Sequence, residues 1–408
     1  MQNKELLSPA GNFEKMTAAL RYGADAVYLS GRRFGMRAAA DNFSSEEIYE
    51  AVKYAHSLDK KVYVTVNTMP RTGEYPSLEK YLAELKESKP DALIIADPGV
   101  MELAKSIMPE IPIHVSTQTG IVSAADCLFY AKTGATRVVL ARELSFEDIA
   151  QISEKTRGIV ELECFVHGSM CVSFSGRCLL SEHYTGRDAN RGACAQPCRW
   201  NFNAFEISEE KRPGDRLTVN ETPDGTFIMS SKDMCMIEHI PELMESGIHS
   251  FKIEGRMKSA YYTAVCSNVY SMAMKKYLSD PKNYSTDSAW LAELEGVSHR
   301  EYCTGYFFDD PMKNAQLCEN PGYIKEKAYL ATVTDYKDGI ATLSQRNKMC
   351  EGDNIEIISP GRCGTSMTVP KMKNEKGEEI NSTPHPYMTF TMPVPFECKA
   401  GDIVRSAV

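Results

Sequence analysis

Apolar and polar positions follow two different periods along the first part of the chain. Short runs of β-branched and other apolar residues are separated by amphipathic stretches of about 10 to 15 residues. The amphipathic stretches, such as 13–22, 45–58 and 76–88, predict helices. The short runs predict eight strands, at residues 5–8, 27–30, 62–67, 92–97, 113–117, 137–141, 160–167 and 251–254. Eight strand–helix units in parallel connection predict an α/β fold, a (β/α)8 barrel of the TIM type.

One connection is far longer than the others. Between the seventh and eighth predicted strands, residues 168–250 span roughly 80 residues, whereas a barrel connection usually has a handful. Long insertions after a late barrel strand generally serve the active site rather than stability. We therefore expect a Cys-rich insertion that contributes to the site.

The pattern changes again towards the C-terminus. From residue 323 to residue 408, short alternating runs are separated by Gly, Pro and Asp, which predicts a small all-β domain resembling a β-barrel. The catalytic barrel domain is expected at residues 1–280, including the insertion at 168–250. Residues 281–322 are expected to form a connecting segment.

The composition is that of an ordinary globular protein, with 43% hydrophobic and 25% charged residues. A net charge of −9 argues against a generally basic surface, so an RNA contact needs a local basic patch. Arg187, Arg191 and Arg199 in the insertion are the candidates. No window approaches the roughly 20 apolar residues that span a membrane, and the first residues lack the apolar run of a secretory signal. We expect a cytoplasmic protein without membrane contact.

Five of the thirteen cysteines fall within residues 161–200, namely Cys164, Cys171, Cys178, Cys194 and Cys198. Disulfides are rare in the cytoplasm, so such a cluster is better explained by metal ligands or catalytic thiols. Six residues separate Cys171 from Cys178, a looser spacing than that of a C-x2-C zinc finger. Zinc is therefore the less favoured alternative for a metal at these thiols.

Polar residues lie at or just after the ends of the predicted strands, where the loops of a barrel build the catalytic site. On the seventh strand, alternation places Glu163 and His167 on one face, where they could act as general acid and base. A histidine that only packs in the core is the alternative for His167. The polar residues at other strand ends are Asn67, Gln118, Arg142 and Glu254, the last being a further acid–base candidate.

The segment 163–181, E-C-F-V-H-G-S-M-C-V-S-F-S-G-R-C-L-L-S, resembles the peptidase U32 family and matches its signature at every position. Other segments are similar to that family as well, so the resemblance covers nearly the whole chain. They are S-P-A-G-N-F-E, R-R-F-G-M-R, N-R-G-A-C-A-Q-P-C-R-W, S-S-K-D-M-C and F-K-I-E-G-R-M-K. Length and the β-rich C-terminal part make the chain most similar to the prephenate-dependent tRNA uridine hydroxylases of the family, which install 5-hydroxyuridine at the wobble position.

The resemblance implies a cofactor, a co-substrate and the residues that bind them. Hydroxylating relatives carry a [4Fe-4S] cluster on four cysteines, which correspond here to Cys171, Cys178, Cys198 and Cys235, with Cys194 as an alternative ligand. Prephenate is a small dicarboxylate, and two carboxylates call for cationic partners at the barrel mouth. The substrate-binding candidates are Arg37, Arg142, Arg256, Lys252, Asn67 and Gln118. The implied macromolecular substrate is tRNA, and the sequence is compatible with a homodimer or a heterodimer with a paralogous U32 chain.

Two other functions stay open at this stage. The family name records a collagenase-like peptidase, but the sequence contains neither H-E-x-x-H nor G-x-S-x-G. A cluster of cysteines also makes one dedicated nucleophilic thiol less expected. In the third interpretation the C-terminal domain binds RNA and the barrel is only structural, but polar residues at so many strand ends argue against an inert barrel.

Overall fold

The computed structural model describes residues 4–37, 41–171, 173–174, 176–200, 207–209, 212–217, 220–222, 225–227, 231–308 and 323–407. None of the described helices is long and apolar enough to cross a membrane. The strands are β1 (Glu5–Pro9), β2 (Ala26–Ser30), β3 (Lys61–Val66), β4 (Ala92–Ile95), β5 (Ile113–Val115), β6 (Ala135–Val139), β7 (Glu161–Ser169), β8 (Ile207–Glu209), β9 (Arg212–Leu217), β10 (Asn220–Thr222), β11 (Gly225–Phe227), β12 (Asp233–Cys235), β13 (Ser250–Ile253), β14 (Tyr302–Cys303), β15 (Tyr329–Lys337), β16 (Ile340–Gln345), β17 (Asn354–Ile358), β18 (Thr365–Thr368), β19 (Met372–Asn374), β20 (Glu379–Ile380), β21 (Thr389–Pro393) and β22 (Ile403–Ser406). The helices are α1 (Phe13–Arg21), α2 (Ser45–Ser57), α3 (Tyr75–Ser88), α4 (Pro98–Ile107), α5 (Ala124–Lys132), α6 (Phe146–Thr156), α7 (Leu180–Thr185), α8 (Ile240–Glu245), α9 (Ala260–Ser279) and α10 (Ser288–Glu295).

Eight parallel strands close into a barrel. Strands β1 to β7 follow one another around it, and β13 closes the ring by pairing with β7 on one side and β1 on the other. Helices on the outside begin at capping residues: Ser44 and Ser145 form capping boxes, and the Asn12 side chain accepts from the amide of Lys15. The predicted (β/α)8 barrel is confirmed.

The insertion after β7 returns to the same sheet. Its strand β12 pairs antiparallel with β7, and β14 extends the sheet beyond β12. Within the insertion, β8 pairs with β9 and β10 with β11. The insertion is therefore anchored to the barrel wall at both of its ends.

The C-terminal part forms a separate antiparallel sheet of eight strands, β15 to β22, with its own apolar core around Leu343, Phe390 and Val404. The buried Arg405 joins this sheet to the barrel, since its guanidinium donates to Glu293 at 2.6 Å and to the hydroxyl of Tyr261 at 3.2 Å. The predicted small all-β domain is confirmed.

The interior of the barrel is charged. The carboxylate of Glu163 on β7 is fully buried and accepts from Lys252 Nζ at 2.7 Å and from Arg137 Nη1 at 3.2 Å. Arg137 also donates to Glu5 at 2.6 Å and to Glu161 at 2.7 Å. Buried ions of this kind are tolerated only when they are paired and hydrogen-bonded. Glu163, predicted as a general acid or base, is thus held between two cations below the barrel mouth.

His167 does not share the face of Glu163, because β7 contains a bulge. Lys252 pairs with Phe165 but the next residue, Ile253, pairs with His167, so one extra residue of β7 turns His167 outwards. There its ring packs among Tyr262, Tyr270 and Tyr302, 1% exposed. The prediction that Glu163 and His167 lie on one face of the strand is therefore wrong. Neither ring nitrogen has a hydrogen-bond partner among the described residues, and burial lowers the pKa of His167 from 6.5 to about 3.

Glu163→Gln should destabilise the protein strongly, because it leaves Lys252 buried beside a neutral group. Removal of one partner from a buried ion pair costs about 3 to 5 kcal/mol, which urea unfolding can measure. The matched control is Glu379→Gln, which breaks an exposed pair with Lys371 at 3.1 Å and should leave the free energy of unfolding nearly unchanged. Equal effects of the two substitutions would contradict the structural importance of the interior network.

His167→Phe should make stability less dependent on pH in mild acid. Between pH 6.5 and pH 3 the unfolded chain binds one proton at His167 that the folded protein excludes, so stability is lost as the pH falls through this range. The substitution should reduce that slope by up to about 1.4 kcal/mol per pH unit. Urea unfolding from pH 7 to pH 4.5 measures the slope, with His385→Phe on the exposed surface as control. An unchanged slope would mean that His167 titrates normally.

Candidate active site at the barrel mouth

A small cavity of about 70 Å³ lies at the carboxyl end of the barrel strands, and we call it the inner cavity. Every residue that sequence analysis predicted to bind substrate lines it, together with the acid–base candidate Glu254. Because loops after different parallel strands meet at this end of a barrel, residues far apart in sequence converge here. The lining residues are Tyr28, Met36, Arg37, Thr65, Asn67, Ile94, Ser116, Thr117, Gln118, Arg142, Phe165, Lys252, Glu254 and Arg256.

Positive charge exceeds negative charge in the inner cavity. Glu254 lies 3.6 Å from Arg37 and 3.6 Å from Arg142, and Arg256 lines the same space. Burial opposes the ionisation of Glu254, but the cations around it outweigh burial and lower its pKa. Burial and the neighbouring Arg37 lower the pKa of Arg256 to about 10. With three guanidinium groups around one carboxylate, the cavity is suited to bind an anion.

Two buried polar atoms of the inner cavity are available to a ligand. Arg142 Nε and Gln118 Oε1 have no hydrogen-bond partner among the described residues. Arg142 is held in place from elsewhere, since its Nη1 donates to the carbonyl of Ser169 at 3.0 Å and its guanidinium lies 3.9 Å from the centre of the Phe165 ring. Because buried polar groups are normally satisfied, these two atoms are positions at which a ligand or an ordered water can form a hydrogen bond.

Next to the inner cavity lies a larger space of about 390 Å³, which we call the outer chamber. The two spaces share Met36, Arg37, Arg142 and Glu254. The outer chamber is also lined by Ser169, Met170, Cys171, Gly192, Cys194, Gln196, Cys198, Gly255, Met257, Lys258, Ser298 and Tyr323. The chamber therefore lies between the start of the insertion, the loop after β13 and the beginning of the C-terminal part.

The first part of the insertion, residues 169–200, covers the barrel mouth, and we call it the Cys-rich cap. A Cβ atom on Gly176 would lie 2.2 Å from the carbonyl oxygen of Gln118, and one on Gly192 would lie 2.7 Å from that of Gly35. Both glycines have positive φ, +73° and +88°, so only glycine fits the backbone and the close approach. Within the cap, Ser181 Oγ accepts from the amide of Ala195 at 3.0 Å.

The basic residues predicted to contact RNA differ in their surroundings. Arg187 is exposed. Arg191 donates to both carboxylate oxygens of Glu74, at 2.8 and 2.9 Å, which neutralises its charge. The side chain of Arg199 lies outside the described residues. Only Arg187 is therefore described as an exposed cation of this group.

The predicted cluster ligands are only partly brought together. Cys171, Cys194 and Cys198 line the outer chamber, whereas Cys178 and Cys235 do not. Cys235 pairs with His167 across the sheet, and burial raises the pKa of its thiol to about 12. Among the described side chains, no group of three or more His, Cys, Asp or Glu residues is placed to hold a metal ion. The described geometry does not assemble a cluster site, and the [4Fe-4S] cluster stays a prediction.

Several lining residues were missed by sequence analysis. Thr65 and Ser116 lie one or two positions before the ends of their predicted strands. They could have been found by also counting the last residues of each strand whose side chains face the barrel interior. Lys258 belongs to the F-K-I-E-G-R-M-K segment but was not singled out. Tyr323 follows the segment predicted as a connection, where no local pattern points to the barrel mouth.

Comparison with known proteins identifies the family. The model of peptidase family U32 matches residues 11–317, and that of the peptidase family U32 C-terminal domain matches residues 325–405. Bacillus subtilis tRNA hydroxylation protein P1 is 37% identical over 384 residues, which cover 94% of this chain and 90% of that protein. Escherichia coli tRNA hydroxylation protein P is 35% identical over 433 residues, which cover 97% of this chain and 94% of that protein. A Porphyromonas gingivalis protein named collagenase is 30% identical over 369 residues, covering 87% and 86%. The chain, from its barrel to its C-terminal sheet, therefore belongs to peptidase family U32.

Proposed function

We propose that this protein is a tRNA-hydroxylating enzyme that converts the wobble uridine to 5-hydroxyuridine with prephenate as co-substrate. The observation that carries the proposal is the inner cavity, where three guanidinium groups surround the single carboxylate of Glu254. Relatives that cover more than nine tenths of this chain are named tRNA hydroxylation proteins, which supports the same reaction class. The uridine and prephenate parts rest on the sequence resemblance.

The side chains of the cavity have distinct roles in this proposal. Arg142 and Arg256 bind the carboxylates of the small anion, since a guanidinium fork matches a carboxylate in two hydrogen bonds. Phe165 supports Arg142 from below with its ring face. Glu254 stays ionised because its pKa is lowered, and it holds Arg37 and Arg142 in position. The Cys-rich cap lies over the barrel mouth through the close approach of Gly176 to Gln118 and of Gly192 to Gly35.

We include a [4Fe-4S] cluster in the proposal. Cys171, Cys194 and Cys198 share the outer chamber, and Cys178 or Cys235 would have to supply the fourth thiolate that such a cluster needs. Such a cluster would supply one-electron transfer.

A collagenase-type peptidase is the weaker candidate. A thiol peptidase needs a cysteine and a histidine within hydrogen-bond reach of each other. His167 lies among three tyrosine rings outside the barrel, and neither of its nitrogens has a partner among the described residues. It therefore makes no dyad with the thiols of the outer chamber.

A strain that lacks the gene should lose 5-hydroxyuridine derivatives from its tRNA, and the wild-type gene should restore them. Arg142→Met should restore about tenfold less, because it removes a charged contact to the small anion. The measurement is mass spectrometry of tRNA nucleosides. Arg33→Met, which removes an exposed arginine paired with Glu84 at 3.0 Å, is the control and should restore normal levels.

This test distinguishes the proposed reaction from the proposed anion site. If the wild-type gene changes no tRNA nucleoside in the deletion strain, the proposed function is wrong. If Arg142→Met restores as much product as wild type, the hydroxylation stands but the inner cavity is not the anion site.

Protein purified without oxygen should be brown and contain about four iron atoms per chain. Cys171→Ser should remove the colour and most of the iron, because it deletes a thiolate from the outer chamber. Cys350→Ser, in the connection between β16 and β17 of the C-terminal domain, is the matched control and should keep both. Colourless wild-type protein with stoichiometric zinc would contradict the proposal of a cluster and favour a hydrolase.

A further inference from the structure

The outer chamber is too large for the small anion alone. The inner cavity, at about 70 Å³, accommodates little more than the carboxylate end of a ligand, whereas the outer chamber measures about 390 Å³. The latter volume is within the usual range of sites for whole small molecules or nucleotides. The two spaces share Arg37, Arg142 and Glu254 in their linings, so a second group in the outer chamber would lie next to the anion site.

The rim of the outer chamber exposes large apolar side chains. Tyr323 is 52% exposed and Met257 is 50% exposed, although both line the chamber. An aromatic ring and a thioether at the edge of a polar cavity gain by covering a flat apolar partner. The rim is therefore suited to a planar ring that enters from solvent.

A cation supports the Tyr323 ring. Lys258 Nζ lies 4.3 Å from the centre of that ring and donates to the carbonyl of Ser298 at 2.8 Å. The ring is thus held in place by a cation–π contact, which also places a positive charge at the edge of the chamber. Gln196 of the Cys-rich cap also lines the chamber, and its amide can both donate to and accept from the edge of a pyrimidine.

We propose that the outer chamber receives the target base of the RNA after it has left its own stack, at the edge formed by Met257, Lys258 and Tyr323 rather than at the thiols, and that Tyr323 is the platform on which this base stacks. The inference rests on the proposed function and adds to it the residues that bind the nucleobase. Enzymes that modify a base must take it out of the stack, and an aromatic side chain then replaces the lost neighbours. Met257 and Lys258 form the rest of the platform's rim, and Gln196 is the residue that reads the edge of the base.

The test uses the full-length protein and an anticodon stem-loop RNA that carries a fluorescent pyrimidine analogue at the target position. Tyr323→Leu should weaken binding about tenfold, equal to about 1.4 kcal/mol, because stacking on one aromatic ring contributes energy of this order. Tyr323→Phe keeps the ring and should bind within about twofold of wild type. Quenching of the analogue by the stacked ring should be lost in Tyr323→Leu and retained in Tyr323→Phe, which a merely structural role would not produce.

Tyr387→Leu is the matched control. Tyr387 is 71% exposed in the turn before β21 and has Arg346 4.8 Å from its ring centre, so it repeats the chemistry of Tyr323 away from the barrel mouth. Binding and quenching should be unchanged in this variant. Met257→Gln is a second rim variant and should weaken binding less than Tyr323→Leu. Thermal unfolding of each variant shows whether it is folded.

Different results would contradict the stacking role of Tyr323 and the proposed function. If wild-type protein binds and hydroxylates the RNA while Tyr323→Leu keeps its affinity and quenching, the platform is wrong and the proposed function stands. If wild-type protein neither binds nor hydroxylates the RNA, the proposed function falls, and the platform falls with it.

Discussion

The fully buried carboxylate of Glu163 makes the charged barrel interior possible. It pairs with Lys252 at 2.7 Å and with Arg137 at 3.2 Å, and without it two cations would lie close together in a space that excludes water. In the lower part of the barrel, three carboxylates, Glu5, Glu161 and Glu163, meet these two cations. At the mouth, cations outnumber carboxylates, since Arg37, Arg142 and Arg256 surround the single carboxylate of Glu254. The excess positive charge is thus concentrated where a ligand can neutralise it, and the remaining charges are compensated within the barrel.

The bulge in β7 separates the interior network from the outer wall of the barrel. Before the bulge, Glu163 and Phe165 face inwards and contact the cations of β6 and β13. After it, His167 faces α9, and the backbone carbonyl of His167 accepts from the amide of Glu254 at 2.8 Å. That hydrogen bond links the two strands whose ends carry the Cys-rich cap and the carboxylate of the inner cavity. A single extra residue therefore sets where the cap leaves the barrel and where Glu254 is held.

Sequence alone could predict the barrel and the inner cavity because both follow from short-range patterns. Parallel strands place their carboxyl ends together, so Asn67, Gln118, Arg142 and Glu254 had to converge once the strands were assigned. His167 was misplaced because strict alternation contains no signal for a bulge, which depends on pairing with β13 and β12. The position of a thiol in a loop rich in Gly and Ser depends on tertiary contacts, so the grouping of the cysteines was not predictable either. Tyr323 reaches the chamber from a distant part of the chain, and periodicity carries no information about such contacts.

The geometry around Glu254 also limits what the inner cavity can hold. Its distances of 3.6 Å to both Arg37 and Arg142 exceed those of a charge-assisted hydrogen bond, which is about 2.7 to 2.9 Å. The arginines are thus only partly neutralised, and Arg142 Nε keeps a hydrogen for another acceptor. Because the pKa of Glu254 is lowered, its carboxylate is ionised at neutral pH and repels a second anion that approaches from its own side. A small carboxylate bound here would therefore pair with Arg142 and Arg256, and Arg142 also lines the outer chamber, where the target base is proposed to bind.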